Sequence, residues 1–174
     1  MTTLSARLTR PIAWRGLIAD CVLAAMLFGP LAAPFLQGWG LLVPRTVSGI
    51  IYTMGSFVCP QPAAGLPLYN GNIMAVCMRC YGTVLGLLLT RLWYAYDAGA
   101  GRAWLPRYGL RALPLFTLMI FTYAAEFFGQ VVGLWRFDNL VVTLAGLVTG
   151  AGLGLMFHPF LQAGANQPFV AART

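Results

Sequence analysis

Three cysteines are the residues best placed to do chemistry. Cys77-Met78-Arg79-Cys80 is a Cys-x-x-Cys at the start of an apolar run, and Cys59 lies upstream of it. Three chemistries fit this set. The first, and the expected one, is a structural disulfide. Exterior compartments are oxidising, and pairing Cys59 with Cys77 or Cys80 would close a loop of about 20 residues, worth roughly 3 kcal/mol of chain entropy. The second is a metal site, although three thiolates leave zinc short of the four ligands its structural sites take. The third is a thiol-redox centre. A helix N-terminus and Arg79 would both favour the thiolate, but a Cys-x-x-Cys without a surrounding βαβ unit is weak evidence for one. Cys21, inside an apolar segment, reads as a small filler.

Other polar side chains sit in or near apolar segments, where ionisable groups are costly and draw attention. Glu126 is the deepest, with Gln130 one helical turn on. It is either part of a proton or ion pathway or a hydrogen-bonded carboxyl that meets Gln130, Arg79 or Arg136. The second is expected, because a relay needs a chain of such groups. Asp20 and Arg91 lie near segment ends and are expected to reach the headgroups. His158, followed by Pro159, is a weak candidate to ligate a haem or chlorophyll metal; a lone terminal histidine reads better as an interfacial side chain. No Gly-x-Ser-x-Gly, His-Glu-x-x-His or phosphate-binding loop is present. One histidine and four acidic residues leave few candidates for acid–base catalysis, so the reading leans away from an enzyme. The short chain shows no inverted repeat of the transporter kind.

These residues must be positioned by a membrane fold. The chain is 59% hydrophobic and 9% charged, whereas soluble domains run near 45–50% and about 25%. That excludes a soluble globular protein, and the apolar content excludes disorder. A bilayer core demands helices that satisfy their own backbone, each of roughly 20 residues. The expected architecture is all-α, one membrane domain over 1–174, with four spans at 17–36, 80–96, 112–134 and 140–158. The net charge of +7 comes from 11 arginines and no lysine. The arginines are scattered between apolar runs, which argues against a nucleic-acid surface and for a topology signal. Arg7, Arg10, Arg15, Arg91, Arg102, Arg107, Arg111 and Arg173 fall on one side; Arg45, Arg79 and Arg136 fall on the other. The positive-inside rule then gives a multi-pass protein of the inner (cytoplasmic) membrane, with both termini in the cytoplasm. The basic-then-apolar N-terminus has the form of a signal peptide but is expected to stay as the first span.

The long segment 37–79 is expected to be an ordered external cap. Residues 39–58 could form a fifth span, but Pro44 and Arg45 interrupt it. Val47, Ile50, Ile51, Met54 and Phe57 fall on one helical face, which suits a helix lying in the interface. Pro60, Pro62 and Pro67 then stiffen the chain. Asn70-Gly71 supplies a tight turn, and Ile73–Val76 returns, bringing Cys77 towards Cys59. A bridge needs their Cα atoms within roughly 7 Å. Glycines one turn apart let helix backbones approach closely. Gly82 and Gly86 in the second span, and Gly146, Gly150 and Gly154 in the fourth, therefore predict that these two spans pack together. Trp14, Trp39, Trp93, Tyr94, Tyr96, Trp104, Tyr108 and Trp135 fall at segment ends and read as headgroup-level anchors.

The pattern Cys59-Pro60-Gln61, then Val76-Cys77-Met78-Arg79-Cys80-Tyr81-Gly82, resembles an uncharacterised family of small predicted bacterial membrane proteins. Its signature is Cys-His-Gln, a loop, and Val-Cys-x-Arg-Cys-x-Gly leading into a glycine-bearing span. The likeness covers roughly 45–160 and continues with an acidic residue and a Gln late in the third span, here Glu126 and Gln130. An Asn opening the fourth span, here Asn139, and Gly146 and Gly150 follow. Three positions depart from it. Pro60 replaces the histidine, Ala64-Gly65-Leu66-Pro67 stands where an Arg-Ser pair is found, and Val142 replaces an arginine. The resemblance implies no activity, and these losses suit a member kept for structure. The leading functional expectation is thus a small membrane subunit in a larger complex, such as a photosynthetic or respiratory one. Its partners would be lipids and other integral membrane subunits, and any pigment or haem would come through such a partner. A thiol-redox or metal-binding enzyme centred on Cys59, Cys77 and Cys80 is the alternative, and a proton or ion pathway through Glu126 the third.

Overall fold

A computed structural model describes residues 14–96 and 104–162. Arg7, Arg10, Arg102 and Arg173, which carry part of the topology argument, lie outside the described residues. Five α-helices account for most of the fold: α1 (Trp14–Gly38), α2 (Leu42–Val58), α3 (Met78–Tyr96), α4 (Leu113–Val131) and α5 (Asn139–Gln162). A 3-10 turn at Pro62–Ala64 and a two-stranded hairpin, β1 (Pro67–Tyr69) and β2 (Asn72–Ile73), join α2 to α3, and a longer 3-10 segment, Leu105–Ala112, leads into α4.

α3 and α5 form the centre of the bundle. A methyl group on Gly82 would collide with the Thr143 carbonyl, one on Gly86 with the Leu147 carbonyl, and ones on Gly146 and Gly150 with the Arg79 and Thr83 carbonyls. The near-constant sequence offset of these contacts means that the two helices run parallel, with backbones touching along a seam that only glycine permits. α4 runs antiparallel beside them. Thr149 on α5 donates to the Met119 carbonyl on α4 at 2.9 Å and lies 3.2 Å from the Thr122 hydroxyl. α1 is antiparallel to α3: Asp20, near its start, pairs with Arg91, near the end of α3.

α2 folds back from the end of α1. Ser48 Oγ lies 2.9 Å from both the Ala33 carbonyl and Gln37 Oε1, so a polar, buried face of α2 meets α1. Its other face, Val43, Val47, Ile50, Met54 and Phe57, is exposed. The Tyr52 hydroxyl donates to the Ile73 carbonyl at 2.6 Å, and Tyr69 lies against Phe35, with ring centroids 5.4 Å apart. The hairpin turns on Asn70 and Gly71, whose φ values of 47° and 78° are those a tight two-residue turn requires. The 39–79 segment is thereby tied to α1 and delivers Cys59 and Cys77 to one end of the bundle.

Several expectations need correction. Among the described residues, three helical stretches are long and apolar enough to cross a membrane by length and composition, Gly16–Gly38, Arg107–Val131 and Asn139–Phe160. The expected span at 80–96 is a helix of 19 residues, but Arg79, Arg91 and its threonines dilute its hydropathy. Asp20 and Arg91, read separately in the sequence, form a two-point ion pair at 2.6 and 2.8 Å. Trp104 is no surface anchor. It is buried, packed edge-on against Tyr94 with centroids 4.8 Å apart. His158 is buried too, and its Nε2 donates to the Leu87 carbonyl at 3.0 Å, beside the middle of α3 and away from the cysteines. Cys21 is exposed on α1.

Candidate functional site

The site is built where α3 begins. A helix start places residues three apart on one face, so Cys77 and Cys80 face the same way, and the fold-back of the 59–77 segment sets Cys59 beside them. The three sulfur atoms lie within 4.8 Å of one another. The Cys77 and Cys80 sulfurs are 3.6 Å apart, and the Cys77 backbone N–H donates to Cys59 Sγ at 3.2 Å. All four cysteines of the chain are free thiols. The cap thus brings Cys59 to its partners as expected, but the expected bridge is not formed. The sulfurs converge as a trio, and Cys59 serves as a hydrogen-bond acceptor where a covalent partner was anticipated. Cys59 and Cys77 are buried and Cys80 is half-buried.

The trio is electrostatically uneven. Hydrogen bonds from the Cys77 and Cys80 thiols, then from the Cys77 and Gln61 backbone, hold Cys59 well below the usual thiol range. Cys77 is pushed upward, first by its hydrogen bond to Cys59 and also by burial and by the charge on Cys59. Of Cys59 and Cys77, Cys59 is thus the one whose surroundings favour the thiolate.

Arg79, between the two cysteines in sequence, has no exposed side-chain surface and pairs with Glu126 on α4, Nε to Oε2, at 2.5 Å. Its remaining nitrogens donate to Gln130 Oε1 at 2.8 Å and to Gln61 Oε1 at 3.3 Å. Gln130 closes the ring by donating to the other Glu126 oxygen. The guanidinium carbon also lies over the Phe127 and Tyr123 rings, 5.1 and 5.5 Å from their centroids, within the range of a cation–π contact. Tyr123 extends this environment to the thiols, its hydroxyl 4.0 Å from Cys80 Sγ. A buried charge is tolerated only when paired and hydrogen-bonded, and the cap and α4 both contribute partners to that end.

Glu126 and Gln130 therefore meet Arg79 and each other, and among the described residues Arg136 takes no part. Arg79 does not point its charge at the thiols, as the redox reading assumed, but at Glu126. Gly82, Gly86, Gly146, Gly150 and Gly154 stand apart from the site and line the α3–α5 seam. Tyr123 and the bridging role of Gln61 escaped the sequence reading. Tyr123 was accessible to it, lying one turn before Glu126 on the face that also carries Gln130.

An open cleft of about 810 Å³ lies over the network, lined by Pro60, Gln61, Gln130, Trp135, Arg136, Phe137 and the 62–64 turn. Its far wall exists because α4 ends in a left-handed cap. Gly133 has φ 80°, and the Gly133 and Leu134 N–H groups donate back to the Gln130 and Gly129 carbonyls, a Schellman arrangement. The chain then reverses, and the Trp135 ring lies on Gly129 so closely that any side chain there would collide with it.

A family model described as "Predicted membrane protein (DUF2085)" matches residues 59–156, the stretch that holds the thiol trio, Arg79, Glu126, Gln130 and the glycine seam. No curated protein and no solved structure matches the chain.

Proposed function

The chain belongs to the DUF2085 family of predicted membrane proteins, and we propose that this member is a four-span membrane protein that holds a soft metal ion in a three-thiolate site at one end of its bundle. α3 serves as the fourth span. Its 19 residues reach about 28 Å at 1.5 Å per residue, close to the roughly 30 Å hydrocarbon core, and the neighbouring helices shield its polar groups. The exposed apolar faces of α1, α4 and α5 lie in lipid and that of α2 at its boundary. The arginine distribution supports an inner-membrane placement with the cysteine end outside.

The observation that carries the reading is the convergence of Cys59, Cys77 and Cys80 within 4.8 Å. Metal–thiolate bonds of about 2.3 Å around one centre require sulfur separations close to these, so a metal needs little rearrangement. Soft thiolates select ions such as Cu(I) and Zn(II). No fourth His, Cys, Asp or Glu joins the group among the described residues, which fits a trigonal Cu(I) site and leaves an open position on zinc. The Arg79–Glu126 pair, held by Gln61 and Gln130, fixes the start of α3 on which Cys77 and Cys80 stand. A structural subunit, the leading sequence expectation, would use the glycine seam and the apolar faces but would leave this cluster without a role. A dithiol-redox centre is the second reading, favoured by the 3.6 Å approach of the Cys77 and Cys80 sulfurs.

Purification in detergent under anaerobic, reducing conditions, loading with Cu(I) or Zn(II), and desalting separates the two. Metal binding predicts about one retained ion per chain, with affinity falling at least about tenfold in Cys59→Ser. No retained ion, together with ready formation of a Cys77–Cys80 disulfide on mild oxidation, would replace this reading with the redox one.

A further inference from the structure

We propose that the cleft beside the thiol trio is a recognition site for an anionic carrier, a small carboxylate-bearing thiol that delivers the metal by ligand exchange. The inference rests on the metal-site reading and deepens it.

The lining carries the argument. Gln61 belongs to both places: its side-chain oxygen accepts from Arg79, it lines the cleft, and it is two residues from Cys59. Its amide NH2 makes no hydrogen bond among the described residues and remains as a donor. Arg136 lies on the cleft wall and has no hydrogen-bond or ion-pair partner among the described residues. No carboxylate lines the cleft. The nearest acidic neighbour in sequence, Asp138, is occupied at the start of α5, its Oδ1 accepting from the Leu140 and Val141 N–H groups at 2.8 and 3.1 Å. Donors without acceptors select an anion. Trp135, Phe137 and Pro60 add apolar walls, and Trp135 is held in place over Gly129. The pocket therefore suits a small molecule with both carboxylate and apolar parts, next to thiols that bind soft metals.

The exchange is balanced. A protein thiol attacks the incoming metal and a carrier thiolate leaves. One metal–sulfur bond forms as another breaks; an attacking thiolate releases a carrier thiolate, an attacking thiol also passes its proton to the departing carrier sulfur, and the metal keeps its oxidation state. Successive exchanges at Cys59, Cys77 and Cys80 complete the transfer.

The test compares two sources of the same ion under anaerobic conditions: Cu(I) bound by glutathione, an anionic thiol complex, and Cu(I) in acetonitrile, a complex without carboxylates. Full-length protein in detergent is mixed with each, and the uptake rate is followed. Arg136→Glu should slow uptake from the glutathione complex at least about fivefold, the scale of a lost electrostatic capture site, with no change from the acetonitrile complex and the same final metal content. Arg136→Lys should retain most of the wild-type rate, and Arg45→Glu, an equal charge change on α2, should leave it unaltered. Equal slowing by Arg136→Glu and Arg45→Glu, or no slowing by either, overturns the proposal while the metal site stands. Failure of the wild-type protein to retain copper from either source overturns the metal site itself.

Discussion

The two ends of α3 each carry an arginine paired with a carboxylate from another helix, yet the two pairs are built differently. At the end of the helix, Arg91 grips Asp20 through two parallel hydrogen bonds, and the pair is partly open, with 19% and 42% of the side-chain surfaces exposed. At the start, Arg79 and Glu126 are 0% and 6% exposed, and two glutamines and two aromatic rings share the guanidinium. The first arrangement suffices to fasten α1 to α3. The second recruits far more of the chain than fastening requires, and it adjoins three thiols and a cleft. A buried ion pair is weak evidence for stability because desolvation offsets its attraction. Its elaboration at one end of α3 therefore argues for a task at that end.

The difference can be broken from either side. Arg79→Met leaves Glu126 buried without its cation, and such a loss costs about 3–5 kcal/mol. Detergent-titrated unfolding should show a large drop in midpoint, and the Arg79→Met/Glu126→Leu double variant should recover most of it, since two apolar groups leave no orphan charge. The recovered double variant should still bind metal more weakly than wild type, which separates the network's role at the site from its role in folding. If the double variant is as unstable as the single one, the pairing account of this end is wrong.

A smaller effect is expected midway between the ends. Gly150→Leu forces a side chain into the Thr83 backbone, and overpacking of this kind costs about 1–3 kcal/mol. It should loosen the α3–α5 seam and increase alkylation of the half-buried Cys80. Unchanged stability and thiol reactivity would mean that the helices do not touch along that line. The smallest effect belongs to the open pair. Asp20→Asn should cost no more than about 1 kcal/mol, the range of exposed ion pairs, and should leave metal binding intact. A loss comparable to that of Arg79→Met would erase the distinction between the two ends.

Much of this was legible in the sequence, for reasons that differ by residue. The Asn70-Gly71 turn announces itself because positive φ narrows the choice of residues, and the apolar stripe on α2 follows from helical spacing alone. The family was recognisable from Cys59, Gln61 and the Val76–Gly82 motif, and the family match bears that out. The spacing of Gly82, Gly86, Gly146 and Gly150 pointed to the two helices whose backbones meet in the structure. The span count was harder, because Arg79, Arg91 and two threonines lower the hydropathy of α3, although Arg79 and Thr90 are buried against its neighbours. Arg79 carried two readings in the sequence: a charge one residue from Cys80 suggests a thiolate partner, and a deep Glu126 suggests a cation to meet it; the structure has the second. The bridge expected for Cys59 followed from compartment chemistry, which fixes whether thiols tend to pair and says nothing of a third sulfur converging on the same point.

The central claim is that three thiols act as one metal site, and X-ray absorption of the Cu(I)-loaded protein tests it most directly. The account predicts a first shell of about three sulfur atoms near 2.3 Å, falling to two sulfurs in Cys59→Ser. A two-sulfur shell in the wild-type protein, with Cys59 still open to alkylation in the loaded state, would contradict it.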